Sequence, residues 1–256
     1  MKNSIAFAVM MLTAVLFSSS CKKKIETCKL GKHYATDGTS TPAGGGNVFV
    51  YDAAGRISKI TYSNKSIDSL VRVADTLWVF NFSPDYFLVS LLQGITNGAG
   101  NVTSATKTSY DLTGAVTGTE SYLYEYNATG NLTQKTTSTS GGTSILTLTY
   151  TGSNSVSGLL YNGVNLEKKY FFYHGTIENK SQIDDFNSVV TPYLGKPSAQ
   201  LLDSAHVILS ATSDTLRVQY THTLDANDYV TKTVESWLTP VVNTTYHTYQ
   251  YFGCEE

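Results

Sequence analysis

A short chain reversal recurs along this sequence and constrains the fold more than any other feature. Its pattern is an aromatic or apolar residue, then Asp, Asn, Ser or Thr. Two free positions follow, then Gly or a substitute, one free position and an aliphatic residue. The copies are Tyr51-Asp52…Gly55…Ile57, Thr96-Asn97…Gly100…Val102, Tyr110-Asp111…Gly114…Val116 and Tyr126-Asn127…Gly130…Leu132. Tyr150-Thr151…Asn154…Val156 puts Asn where Gly stands elsewhere, and Leu224-Asp225…Asp228…Val230 and Phe82-Ser83…Tyr86…Leu88 are looser versions. The spacing has a mechanical cause. An Asx or Ser side chain at the turn start accepts from its own backbone a few residues on. The two free residues take a type I turn, and the next must adopt positive φ, which Gly and Asn tolerate best. That is a hairpin with a type I turn and a bulge.

Period-two patterning fills the gaps between the turns. Tyr122, Tyr124 and Tyr126 share one face, as do Leu146, Leu148 and Tyr150, and Tyr249 and Tyr251 close the chain as another aromatic row. The 18 tyrosines and many threonines favour strands, and the Thr-rich faces imply a sheet with one wet side. Ser83-Pro84-Asp85 also suits a helix cap, but the turn series runs through it and favours strand over 86–93. Ser181-Gln182-Ile183-Asp184 resembles a capping box, with Pro192 and Pro197 beyond it. The expectation is an all-β fold: a many-stranded, curved antiparallel β-meander or half-barrel of consecutive hairpins. One short helix and loop would cross over near 181–203.

The chain start reads as an address. Met1-Lys2-Asn3 is followed by an apolar run to Phe17 and then Ser18-Ser19-Ser20-Cys21, the order of a secretory signal. The small residues before Cys21 resemble a bacterial lipoprotein signal, in which the Cys becomes the lipidated first residue. The domains expected are a signal peptide at 1–20, a lipidated tether and linker at 21–46, and a single β domain at 47–256. The location expected is the cell envelope, anchored by lipid in the outer membrane, with the periplasmic side favoured and surface exposure open. Cys28 and Cys254 remain, and an oxidising compartment allows them to form a disulfide. The alternative is two free thiols.

The Tyr-Asp-x-x-Gly turns resemble the YD/RHS-type repeats of bacterial surface and toxin-shell proteins. The lipoprotein start, the run Tyr51-Asp52-Ala53-Ala54-Gly55-Arg56-Ile57-Ser58-Lys59-Ile60, the Asn179-Lys180 crossover and the late Leu224–Val234 and Tyr246–Cys254 strands resemble a family of Bacteroidetes lipoproteins, domain of unknown function 4595. The resemblance covers roughly 47–254. It implies a porin-like fold and brings no catalytic residues to transfer. A lipid-facing barrel needs outward apolar bands with aromatic girdles, and these Thr-rich strands show none.

Eighteen Lys+Arg against twenty Asp+Glu leave a net charge of −2, which argues against a nucleic-acid surface. No nucleophile elbow, P-loop, zinc-protease motif or EF-hand loop is present. The five histidines are scattered, so neither a metal site nor a cofactor is expected. Asp184-Asp185 read as helix-start acids. The tyrosine rows, Tyr122, Tyr124, Tyr126, Tyr249 and Tyr251, are the feature with binding potential; the same rows also make cross-strand packing. Trp78 and Trp237 are equally open between these roles. The expected protein is a monomeric, non-catalytic envelope module that binds a glycan or another envelope protein. The alternative is a periplasmic hydrolase or lyase whose acids converge only in the fold.

Overall fold

The computed structural model describes residues 28–36, 46–181, 194–239 and 243–252. They contain sixteen strands: β1 Lys29–Thr36, β2 Asn47–Tyr51, β3 Ile57–Thr61, β4 Ile67–Val73, β5 Thr76–Phe82, β6 Leu88–Thr96, β7 Val102–Tyr110 and β8 Val116–Tyr126; then β9 Leu132–Thr139, β10 Gly142–Thr151, β11 Asn154–Asn162, β12 Asn165–Glu178, β13 Gln200–Leu209, β14 Thr215–Leu224, β15 Val230–Thr239 and β16 Asn243–Phe252. Each strand neighbours its predecessor, and β1 stands between β2 and β16, so the sheet closes into a barrel. The expected half-barrel is therefore corrected to a closed one. The closing element is β1, which lies inside the stretch expected to be linker. It carries no turn motif in front of it, so the hairpin pattern gave no sign of it. Closure removes the two exposed sheet edges that a half-barrel would keep. Leu30–Gln250 forms one compact unit.

The repeated turns sit at hairpin tips. Asp52 Oδ1 accepts from the backbone N–H of Ala54 and Arg56, both at 2.9 Å. The same two-residue and four-residue reach occurs at Asn97, Asp111, Asn127 and Asp225. Gly55, Gly100, Gly114 and Gly130 hold φ between 76° and 89°. Strand register shifts beside each of these reversals, as a type I turn with a bulge requires. The backbone N–H of Arg56, with its guanidinium, holds the Asp52 carboxyl below its ordinary range. The Thr113 hydroxyl and the Ala115 N–H do the same for Asp111.

Two tips depart from the simple pattern. Asn154 is not the left-handed residue of its turn, which corrects the sequence reading. Gly152 takes φ 61° and Thr151 pairs directly with Asn154, because glycine two places earlier reaches that conformation at lower cost. Asn154 instead exchanges hydrogen bonds with Gln200, at 2.6 Å and 3.0 Å. Tyr86 does occupy the positive-φ position, at 64°, with its side chain 75% exposed. Little packing compensates that strain. Replacing Tyr86 with Gly should therefore raise stability by about 1 kcal/mol in equilibrium denaturation; a loss of stability would show that the phenol holds the tip in place.

Alternating strand direction sends the turns at 52–55, 97–100, 127–130 and 225–228 to one end of the barrel. Those at 83–86 and 111–114 lie at the other, here called the far end. Residues flanking the β12–β13 connection tie the first end together. Lys196 N–H donates to Gly130 O (2.9 Å), and Asn131 Nδ2 donates to Lys196 O and Pro197 O (3.1 and 3.2 Å). Lys180 Nζ pairs with Asp228, and Val230 N–H donates to Ser181 Oγ. Most of the helix expected over 181–203 lies outside the described residues. Within that range, residues 194–199 are not helical and Gln200 onward is β13.

Inward positions build two apolar clusters. Phe49, Ile60, Leu70, Leu77, Val79 and Val102 lead the first. Leu148, Phe172, Leu202 and Ala205 form the second, and Leu132 packs against both. Outward positions differ along the wall: β14 exposes Arg217, Gln219, Thr221 and Thr223, whereas β4, β6, β8 and β12 expose Val71, Val89, Ile95, Leu123, Phe171 and Tyr173. The polar face of β14 is unlike the apolar band of a lipid-facing barrel.

Candidate functional site

Strands β4 to β9 bring polar inward residues together near the far end. Cross-strand register places Asp68 opposite Asn81, Ser90 opposite Ser109, Lys107 opposite Glu120 and Tyr124 opposite Lys135. All of these except Glu120, which stands beside it, wall a partly open cavity of about 450 Å³, with Leu194 also lining it. Asp68 is engaged: Tyr62 Oη donates to it at 2.6 Å and Asn81 Nδ2 at 2.7 Å. Glu120 accepts from Tyr122 Oη. Lys135 Nζ lies 5.3 Å from the centre of the Tyr122 ring, within cation–π range. Burial pulls the Lys135 ammonium below its ordinary pKa, Lys107 adds to that and Glu120 opposes it.

The predicted tyrosine row divides between two roles. Tyr122 lines the cavity and stacks on Tyr124, with ring centres 6.1 Å apart. Tyr126 donates from Oη to Val102 O at 2.6 Å, and burial raises its phenol pKa. It belongs to the wall. Tyr249 is buried in a different cluster, and Tyr251 is half-buried on β16. Cys28 is disulfide-bonded. Cys21, Cys254 and the Asp184-Asp185 pair lie outside the described residues. Trp78 and Trp237 are half-buried strand residues.

The second cluster joins β1, β15 and β16 at the closing seam. His33 Nε2 and His247 Nδ1 are 3.1 Å apart, and His247 Nε2 is 3.0 Å from Glu235 Oε2. Tyr249 stacks on His33 at 5.0 Å. One tautomer set satisfies both contacts with neutral rings: His247 Nε2–H donates to the carboxylate and His33 Nε2–H donates to His247 Nδ1. His33 Nδ1 is then a lone pair, and it has no hydrogen-bond partner. Charging His33 would bury an N–H without an acceptor. Burial, helped by His247, accordingly lowers its pKa to about 4.

Two further histidines are held inside the wall. His222 lies between Thr233 Oγ1 and Leu202 O, at 3.0 and 2.9 Å. His174 contacts Ser155 Oγ at 3.2 Å and Gln200 O at 3.0 Å. This Ser–His contact has a backbone carbonyl where a triad would place an acid, and Ser155 is 1% exposed. It serves packing. His206 sits on an outward position against Tyr173. Sequence reasoning missed Lys107, Lys135, Asp68 and Asn81 as cavity residues, and His33 with Glu235 as seam residues. The signal for the lysines was their place on period-two rows; nothing local pairs His33 with His247 across 214 positions.

No family model matches the chain, so the likeness to the lipoprotein family goes no further than the motifs that suggested it. No curated protein matches it either. Among solved structures, a porin-like protein from Bacteroides uniformis ATCC 8492 is similar in fold. The TM-score is 0.64 at 17% identity, over 87% of this chain and 97% of that one. A porin-like protein from Bacteroides vulgatus ATCC 8482 gives a TM-score of 0.57 at 8% identity, over 88% and 98% of the two chains. At such low identity the likeness defines the fold class alone: a porin-like, closed antiparallel barrel.

Proposed function

We propose that this protein is a non-catalytic binding module of the cell envelope, anchored through lipid at Cys21 and receiving its ligand in the cavity walled by β4–β9. A glycan or a segment of another envelope protein is the partner class. The observation that carries this reading is the cavity itself: partly open, of ligand size, and lined by Tyr122, two lysines, two serines and an asparagine. Its one acid, Asp68, is occupied by a phenol and an amide donor, which suits holding a ligand better than moving protons. The porin-like neighbours from Bacteroides are consistent with an envelope setting.

Two measurements test the reading. The Cys21→Ser variant should leave the membrane fraction on cell fractionation; a variant still pelleting with membranes would end the anchor. The purified mature chain should bind members of a glycan array or an envelope-protein panel, and Tyr122→Ala should weaken binding by roughly tenfold or more. Binding unaffected by Tyr122→Ala, or none at all, would remove the cavity from the account.

A further inference from the structure

Resting on that reading of the cavity, we infer that its ligand carries an oxyanion, a carboxylate, sulfate or phosphate, received by Lys107 and Lys135 with the hydroxyls of Ser90 and Ser109. The inference comes from which groups already have partners. Asp68 accepts from both Tyr62 and Asn81, and Glu120 accepts from Tyr122. The acceptors on this wall are thus served by neutral donors. The donors lack a hydrogen-bonding acceptor, although the Tyr122 ring and Glu120 lie near Lys135. Among the described residues, neither lysine ammonium makes a hydrogen bond or an ion pair, and neither serine hydroxyl makes a hydrogen bond.

Formal charge does not decide the matter, since the two lysines have one acid, Asp68, in the lining and a second, Glu120, beside it. Satisfaction decides it. Both lysines are half-buried, and Ser90 is 8% exposed. A cation drawn partly out of water with no acceptor is costly, and an anionic acceptor offsets that cost with short, strong hydrogen bonds. The lowered pKa of Lys135 is the same cost seen from the proton's side. Ser90 and Ser109 are cross-strand partners, and Lys107 lies two residues from Ser109 on the same face. The set therefore lines one side of the cavity as a patch of donors, matching a group that brings only acceptors. A neutral sugar hydroxyl can accept from these donors too, but it brings no negative charge to offset the two ammonium groups.

The test uses the mature wild-type chain and the Lys107→Met/Lys135→Met double variant. The probes are inorganic sulfate, inorganic phosphate, glucuronate and its neutral counterpart glucose, at constant ionic strength set with chloride. Thermal unfolding and calorimetry read binding, and the lysine Nζ resonances of the wild-type protein read it without any variant. At least one oxyanion probe should bind saturably, shift the Nζ signals of both lysines, and bind roughly 10- to 100-fold more weakly to the double variant. Which probe binds best separates a carboxylated sugar from a sulfate or phosphate source. Equal effects of the anions on both proteins would overturn the inference, as would glucose binding as well as glucuronate. Binding of neutral glycans in the cavity with no response to anions would overturn it while leaving the binding module standing. Silence from every probe and from the glycan array would overturn both.

Discussion

Acidifying the protein from pH 7 to pH 4 is expected to remove roughly 3 kcal/mol of folding stability, most of it between pH 6.5 and pH 4. The cause is His33. Its pKa is near 6.5 when the chain is unfolded and about 4 in the folded seam. Between those values the unfolded chain binds a proton that the folded chain refuses. The stability is therefore fully present above pH 6.5 and is lost as the pH falls towards 4. His222, also lowered by burial, acts in the same direction. Asp52 and Asp111, whose carboxyl pKa values are lowered, add their loss only at more acid pH. Glu235 faces His247 and not His33, so it gives the His33 proton no direct acceptor. Urea denaturation at pH 7.0, 5.5 and 4.0 checks this. A flat profile across that window would mean His33 is not held neutral in the seam. The His33→Phe variant should show a shallower slope.

Leu77→Ala should cost about 2–5 kcal/mol. Leu77 has no exposed surface and packs with Leu70, Val79 and Val102 in the first core cluster. Its neighbours are strand residues fixed by pairing on both sides, so the site cannot collapse to fill the void. Leu112→Ala is the control: it sits at a far-end tip, 76% exposed, and should change stability by less than about 0.5 kcal/mol. Denaturant midpoints of the two variants check the contrast. A Leu77→Ala variant as stable as the Leu112→Ala one would show that the barrel interior is not packed as described.

The turns were legible in the sequence because their causes are local. Asp52, Asn97, Asp111, Asn127 and Asp225 each need only the backbone two and four residues ahead, and glycine or its substitute supplies the positive φ. Asn154 was misread for an equally local reason: Gly152, two places earlier, offered the chain a tighter reversal. Tyr122 was picked out by its period-two row. Its neighbours in the cavity were not, because Lys107 and Lys135 look like any strand lysines until the register puts them on one inner wall.

The sequence by itself determined that the chain would be a run of antiparallel hairpins, since Asx reversals and two-residue periodicity act over a few residues. Only the tertiary structure decided that the sheet closes, that β1 is the strand that closes it, and that His33 meets His247 and Glu235 there. Those outcomes depend on whether the first and last strands meet after fifteen successive twisted pairings, and no short stretch of sequence contains that sum.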